Sequence, residues 1–101
     1  MKLRLSRGAE DDLEEAWTFT ARRWAPEQAD NLLDEIEGAF RLLLRFPGLG
    51  RLRDELSPGL RSFPVSGFVV FYRGSEGLLD VVRVLHGARD ASALFERDPE
   101  T

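Results

Sequence analysis

The sequence predicts an α+β domain in which a helical hairpin packs on one face of a mainly antiparallel four-stranded sheet. Three observations lead to this order, which is β-α-α-β-β-β followed by a short helix. A short alternating stretch opens the chain, two long stretches with helical spacing follow, and three apolar strand-like stretches come last. Short turns join those three strands, so they pair antiparallel, and the helices are needed to cover them. The 101 residues amount to one domain, with the last four residues expected to be disordered.

The first strand and the first helix follow directly from the N-terminal pattern. Residues 2–6 alternate between apolar and polar side chains, which is typical of a strand. Ser6 or Gly8 then starts a helix over residues 8–24. Its first turns carry five carboxylates within residues 10–15, and negative charge suits a helix N-terminus. Because five carboxylates cannot be buried unpaired, we expect this acidic turn to face solvent.

The second helix begins at Pro26, since proline is favoured in the first position of a helix. A broad apolar stripe follows, and the helix is expected to end near the breakers Pro47 and Gly48. The two helices form an antiparallel hairpin because only two or three residues separate them. Trp17 and Trp24 lie seven positions apart on the first helix, and we expect them to pack within the core or between the helices.

The second half of the chain contains a loop and three strands. Residues 47–59 are predicted to be a loop because they are rich in proline and glycine. The strands are predicted at residues 60–65, 67–73 and 78–85, with a hairpin turn at 74–77. Residues 91–97 form a short terminal turn from which Leu94 and Phe95 pack back. The helical hairpin can cover only one face of the sheet, so the other face is expected to remain open to a partner.

Charge and composition exclude several classes of protein. The formal net charge is −4 and the isoelectric point is near 5.0, which argues against binding nucleic acid through bulk charge. Residues 1–40 carry five basic and ten acidic side chains, whereas residues 41–97 carry nine arginines and six acids. The second half can therefore form a local positive face, and we expect Arg61, Arg73 and Arg83 to share the sheet side, with Arg89 near its edge. No apolar stretch has the length of a signal peptide or a membrane helix, so the chain is expected to be cytoplasmic and to have no membrane partner.

Five stretches, taken in order, resemble the RelE/ParE toxin superfamily and its ParE branch in particular. They span residues 5–15, 23–29, 46–51, 59–65 and 82–90, with the sequences LSRGAEDDLEE, RWAPEQA, FPGLGR, GLRSFPV and VRVLHGARD. Each stretch could occur in an unrelated helix or strand. Their order and spacing over residues 3–95 make the resemblance specific.

The resemblance implies the toxin of a type II toxin–antitoxin pair and no cofactor. The partner would be a ParD-like antitoxin, which would form a higher-order hetero-oligomer with the toxin and alone would contact operator DNA. ParE-like members are associated with inhibition of DNA gyrase through protein binding. RelE-like members instead cleave messenger RNA on the ribosome.

The residues favour protein binding over RNA cleavage. Attack by a ribose 2′-hydroxyl needs a base, an acid and cations near one phosphate. RelE-like toxins place lysine, arginine and tyrosine or histidine near the C-terminal strands for this purpose. Here Lys2 is at the start of the chain, Tyr72 lies in an apolar strand, and His86 is the single histidine.

The candidate target-binding residues are one histidine and four arginines of the second half. They are Arg61, Arg73, Arg83, His86 and Arg89. If the chain were a nuclease, His86 would be the acid or base, and Arg61, Arg83 and Arg89 would bind the phosphate. In the structural alternative, His86 caps the end of its strand and the arginines pair with Asp90 or solvent.

Other chemistry finds little support. One histidine and no cysteine do not make a typical zinc site, and the carboxylates of residues 10–15 suit a solvated helix. Gly48 and Gly50 are not followed by a lysine at the spacing of a phosphate-binding loop. Three hypotheses stay open: a gyrase inhibitor, a ribosome-dependent mRNA endoribonuclease, and a non-toxic homologue that only forms the antitoxin complex.

Overall fold

A computed structural model describes residues 1–87 and 91–97 of the chain. Its elements, in chain order, are β1 (Lys2–Leu5), α1 (Arg7–Arg23), α2 (Pro26–Arg45), β2 (Arg51–Leu52), β3 (Arg61–Val65), β4 (Phe68–Ser75), β5 (Leu78–His86) and α3 (Ala91–Arg97). The predicted α+β class and the helical hairpin are confirmed. The predicted disorder of residues 98–101 lies outside the described residues. None of the helices in the described part is long and apolar enough to cross a membrane.

The helices begin where the sequence indicates. The Ser6 side chain caps α1 by accepting a hydrogen bond of 3.0 Å from the backbone N–H of Ala9. Pro26 occupies the first turn of α2. Trp17 joins the two helices through an indole N–H that donates to Asp30 at 2.9 Å, as interhelical packing predicts. The same expectation for Trp24 is wrong, because this residue ends α1 and its side chain is exposed.

The sheet contains five strands in the order β1-β5-β4-β3-β2. Strands β2 to β5 pair antiparallel, and β1 pairs parallel with β5. The predicted count of four strands is wrong because Arg51 and Leu52, within the predicted loop of residues 47–59, pair with β3 as strand β2. A strand of two residues is too short to show an alternating pattern, so local sequence does not reveal it.

The helical hairpin covers one face of the sheet, as predicted. Ile36, Phe40 and Leu43 of α2 pack with Val70 and Val81 in one buried cluster. Burial of such aliphatic and aromatic side chains, each contributing about 1.5–3 kcal/mol, is the main stabilising contribution.

The prediction of an open second face is wrong. Phe71 and Val82 lie in a second buried cluster with Leu60 and Phe95, and Leu56 packs against it. The Phe95 ring of α3 lies 5.3 Å from the Phe71 ring, centroid to centroid, so the C-terminal segment packs back as predicted. The loop before β3 and the short helix α3 therefore cover part of this face. The exposed apolar side chains of the described residues instead include ones on the helices and on the loop that follows α2.

Candidate functional site

Arg83 of β5 is bound to the first helix. Its guanidinium donates to both carboxylate oxygens of Asp12, at 2.7 and 2.9 Å. The same carboxylate accepts the backbone N–H of Val84 at 2.9 Å. An added Cβ at Gly8 would lie 3.0 Å from Cδ of Arg83, so glycine leaves room for this side chain beside α1. Arg83 thus fastens the helix to the strand.

This ion pair also corrects the prediction for the acidic turn of α1. Glu10, Asp11, Glu14 and Glu15 are exposed, as expected, but Asp12 is buried. The penalty for burying a carboxylate is offset because Asp12 is paired and accepts a backbone hydrogen bond. Its partner lies 71 residues away in the chain, so the local charge pattern does not reveal it.

Arg61 of β3 is bound to the loop that follows α2. Its guanidinium donates to the carbonyl of Gly50 at 2.8 Å and, at 3.4 Å, to that of Gly48. In the same place the buried hydroxyl of Tyr72 donates to the carbonyl of Pro47 and accepts the N–H of Gly50, both at 2.8 Å. Burial raises the pKa of Tyr72, and the Gly50 hydrogen bond and Arg61 oppose this shift. The phenol is therefore a neutral structural group that holds residues 47–50 against the sheet.

Arg73 of β4 lies on the opposite face of the sheet from Arg61. Arg61 pairs in register with Tyr72, the neighbour of Arg73, and successive side chains of a strand point to opposite faces. The Arg73 guanidinium donates to the hydroxyl of Ser57 and to the carbonyl of Pro58. The expectation that Arg61, Arg73 and Arg83 share one side of the sheet is therefore wrong. Each of them contacts a different segment of the fold.

His86 is exposed at the end of β5. It opposes Phe68 in register, and the two rings meet edge to face with centroids 5.4 Å apart. It also lines a depression of about 200 Å³ between α1 and the sheet. We call this the α1–sheet depression; it is lined by Asp12, Glu15, Ala16, Phe19, Phe68, Val84 and His86. Arg89, predicted to lie near His86, is outside the described residues.

The residues that acid–base chemistry would need do not converge in the described part of the chain. Lys2 is exposed on β1, the Tyr72 hydroxyl is enclosed by the loop of residues 47–50, and His86 is at the far end of the sheet. The described residues also contain no group of three or more histidine, aspartate or glutamate side chains placed to hold a metal ion. What the surface offers instead is exposed apolar side chains.

Apart from Met1, Leu3 and Trp24, the large exposed apolar side chains of the described residues lie in two places, of which sequence reasoning missed one. Phe19 is 57% exposed and borders the α1–sheet depression. The second group, which we call the α2-end patch, consists of Leu42, Phe46, Leu49 and Leu52. The signal in the sequence was apolar residues off the α2 stripe and inside a loop rich in proline and glycine.

The chain matches the family described as the ParE toxin of the type II toxin–antitoxin system parDE. The match covers residues 3–91, most of the chain.

Curated proteins with related sequences are named as ParE toxins. Toxin ParE1 of Mycobacterium tuberculosis (strain CDC 1551 / Oshkosh) is 41% identical over 87 residues, which is 85% of this chain and 89% of that protein. Toxin ParE1 of Caulobacter vibrioides is 36% identical over 90 residues, 89% of this chain and 93% of that protein. Toxin ParE3 of the same organism is 33% identical over 88 residues, 87% and 88% of the two chains.

A solved structure shares the fold. A chain of the chromosomal ParDE TA system from P. aeruginosa superposes with a TM-score of 0.74 at 22% identity, covering 85% of this chain and 95% of that one. At this identity the likeness concerns the fold alone.

Proposed function

This chain belongs to the ParE toxin family of type II toxin–antitoxin systems, and we propose that it acts in the cytoplasm by binding proteins. Its target is DNA gyrase, and a ParD-like antitoxin neutralises it within a larger hetero-oligomer. The antitoxin alone contacts operator DNA.

The observation that carries this proposal is that Arg61 and Arg83, two of the candidate nuclease residues, are engaged within the fold in the described part of the chain. Arg83 is paired with Asp12, and Arg61 is bound to loop carbonyls. Tyr72 is buried with a raised pKa, so it is a poor proton donor or acceptor near neutral pH. General acid–base catalysis needs such groups at hydrogen-bonding distance from one reacting atom. This arrangement supports a binding surface more than a catalytic centre. A direct target contact by Arg61, Arg73, Arg83, His86 and Arg89 stays a prediction.

The α1–sheet depression is the proposed binding site of the antitoxin. It is mainly apolar and is bordered by the exposed ring of Phe19, so it suits the apolar face of an amphipathic segment. The acidic side chain of Glu15 on its rim favours a segment that also carries basic side chains.

The experiment is inducible expression with two readouts, a DNA-damage reporter and mapping of mRNA ends. Gyrase inhibition predicts growth arrest with an induced damage response and intact mRNA. Arrest with new mRNA ends and no damage response would support an endoribonuclease, and normal growth would support a non-toxic homologue.

Co-expression of the antitoxin tests the docking site. Phe19→Ser is expected to retain toxicity but to escape neutralisation. Trp24→Ser is the matched control, because this exposed aromatic residue does not line the depression. Equal neutralisation of the wild type and the Phe19 variant would contradict the proposed binding site.

A further inference from the structure

We infer that the α2-end patch is the surface through which the chain contacts its protein target, and that the target supplies a segment with both apolar and acidic side chains. This inference rests on the proposed function. It concerns a surface distinct from the α1–sheet depression.

The residues of the patch lie at and just after the C-terminal end of α2. Leu42 of α2 and Phe46, which follows the last residue of this helix, are one turn apart: the Phe46 N–H donates to the Leu42 carbonyl at 2.9 Å, so their side chains share a face. The backbone N–H of Leu49 donates to the carbonyl of Phe46 at 3.0 Å, which keeps Leu49 next to the end of the helix. Leu52 lines a depression of about 430 Å³ together with Pro47. All four leucine and phenylalanine side chains of the patch are between 39% and 53% exposed.

Hydrogen bonds from the side chains of Tyr72 and Arg61 hold the loop that carries Leu49 against the sheet. The Tyr72 hydroxyl bonds to Pro47 and Gly50 on either side of Leu49, and Arg61 bonds to the Gly50 carbonyl. An added Cβ at Gly50 would lie 2.5 Å from the Tyr72 hydroxyl, so only glycine allows this approach. An exposed apolar side chain on a fixed loop loses little conformational entropy on binding, which is the physical basis of preorganised recognition. The buried Tyr72 and the half-buried Arg61 thus hold an apolar surface in place without covering it.

The positive charge around the patch indicates which kind of partner it suits. Arg41, Arg45 and Arg51 are exposed and flank the patch in sequence, and the Arg45 guanidinium lies 5.6 Å from the centre of the Phe46 ring. No salt bridge joins these three arginines to an acid within residues 1–87 and 91–97. Exposed cations beside an apolar surface favour a partner whose apolar side chains alternate with carboxylates.

The patch and the α1–sheet depression lie at opposite ends of β4. Phe68 at the start of this strand lines the α1–sheet depression, whereas Gly74 near its end lines the depression beside the patch together with Pro47 and Leu52. Phe68 and Gly74 are separated along the extended strand by roughly 20 Å, further than one partner side chain can reach. The rims also differ in charge, acidic at Glu15 and basic at Arg45. Two separate surfaces whose rims carry charges of opposite sign favour two different partners.

The test uses the full chain with Leu49→Ser and Arg45→Glu, singly and combined. Inhibition of purified gyrase supercoiling and binding to the purified antitoxin are measured in parallel, and circular dichroism monitors the fold. Because both side chains are exposed, the variants are expected to fold like the wild type. The double variant is expected to lose about tenfold or more in inhibitory potency, as typical for removed interface anchors, while antitoxin affinity stays unchanged. Arg7→Glu, an exposed arginine at the start of α1, is the matched charge-reversal control and should keep wild-type potency.

Each alternative outcome overturns the inference in a recognisable way. Variants that inhibit gyrase like the wild type would remove the patch from the target contact while leaving the proposed function intact. Loss of antitoxin binding would assign the patch to the antitoxin. A wild-type dimer that dissociates in the Leu49 variant would assign it to a second copy of the chain. A wild type that binds antitoxin without affecting gyrase would overturn the proposed target, and this inference with it.

Discussion

Asp12 on α1 and Arg83 on β5 form an ion pair with two hydrogen bonds at the edge of the sheet where β1 has ended. The last backbone hydrogen bond between the N-terminal segment and β5 is the one that the Ser6 N–H donates to the Val81 carbonyl, at 2.9 Å. Beyond that point the Asp12 carboxylate takes the place of a neighbouring strand by accepting the N–H of Val84. This buried carboxylate therefore helps to position α1, and with it one wall of the α1–sheet depression, together with the core packing of Ala9 and Leu13.

Replacement of Arg83 by alanine is expected to destabilise the fold. Asp12 is then left buried without its cation; its side chain is only 5% exposed. Loss of one partner of a buried pair costs about 3 kcal/mol, measurable as the free energy of unfolding in urea. Arg4→Ala, which breaks the exposed pair with Asp80, is the control and should change little. An equal loss of unfolding free energy in the two variants would show that the buried Asp12–Arg83 pair stabilises the fold no more than the exposed Arg4–Asp80 pair.

Replacement of Tyr72 by phenylalanine should loosen the loop of residues 47–50. The buried N–H of Gly50 would lose its acceptor, which costs about 1–3 kcal/mol in unfolding free energy. Leu49 would then be less fixed, and the potency of the toxin should fall with no change at the patch itself. Unfolding in urea and the supercoiling assay measure the two effects, and unchanged stability would contradict the role assigned to the hydroxyl.

The same tyrosine predicts a pH dependence. Because burial raises the pKa of Tyr72 in the fold, the neutral phenol contributes stability below its ordinary pKa of about 10. That contribution is lost as the pH rises through the folded-state pKa. The wild type should therefore lose more unfolding free energy than Tyr72→Phe between about pH 8 and about pH 11. Identical pH profiles of the two proteins would contradict the prediction.

Removal of the Phe95 ring tests the role of α3. Phe95 is buried against Phe71, and a change from phenylalanine to alanine in such a place costs about 3 kcal/mol in unfolding free energy. Trp24→Ala removes an aromatic ring that is 66% exposed and should have little effect in the same denaturant experiment. A Phe95 variant as stable as the wild type would show that α3 does not contribute to the core. Truncation after Leu85 would remove this contact, so lost toxicity in a truncated chain would report instability as well.

His86→Ala is expected to leave toxicity largely intact, because a binding surface does not need an acid–base group. Charge reversal of Arg89 should weaken toxicity through a lost contact, and that of Arg83 through the loss of the Asp12 pair. Growth arrest at matched expression levels measures all three variants. Survival of cells that express His86→Ala at wild-type levels would favour a nuclease, since such an enzyme loses orders of magnitude in rate without its acid or base.

The long periodic elements could be predicted from sequence because their signals are local. The stripe after Pro26 and the alternation of residues 2–6 each depend on neighbours within a few positions. The position of Asp12 could not, since its burial depends on Arg83. A register irregularity between Phe71 and Tyr72 also shifts which face the later residues of β5 occupy, so the sheet arginines could not be assigned to sides by counting.

The candidate site was harder to predict than the fold for a related reason. Arginines on the strands were natural candidates for a positive surface, but folding engages Arg61 and Arg73 with loop carbonyls and a hydroxyl. From sequence, Pro47 and Gly48 predict only that the second helix ends and a loop begins. In the structure they instead present Leu49 on a fixed loop, and only the tertiary contacts of Tyr72 show this.

The most direct test of the central claim, that the chain acts by binding protein rather than by cutting RNA, uses one purified preparation in two reactions. Gyrase supercoiling of relaxed plasmid and the integrity of mRNA on translating ribosomes are measured over the same range of toxin concentrations, with and without antitoxin. We predict that supercoiling is inhibited, that the antitoxin reverses the inhibition, that mRNA stays full-length, and that His86→Ala behaves like the wild type. Cleaved mRNA together with unaffected supercoiling, and loss of that cleavage in His86→Ala, would contradict the account.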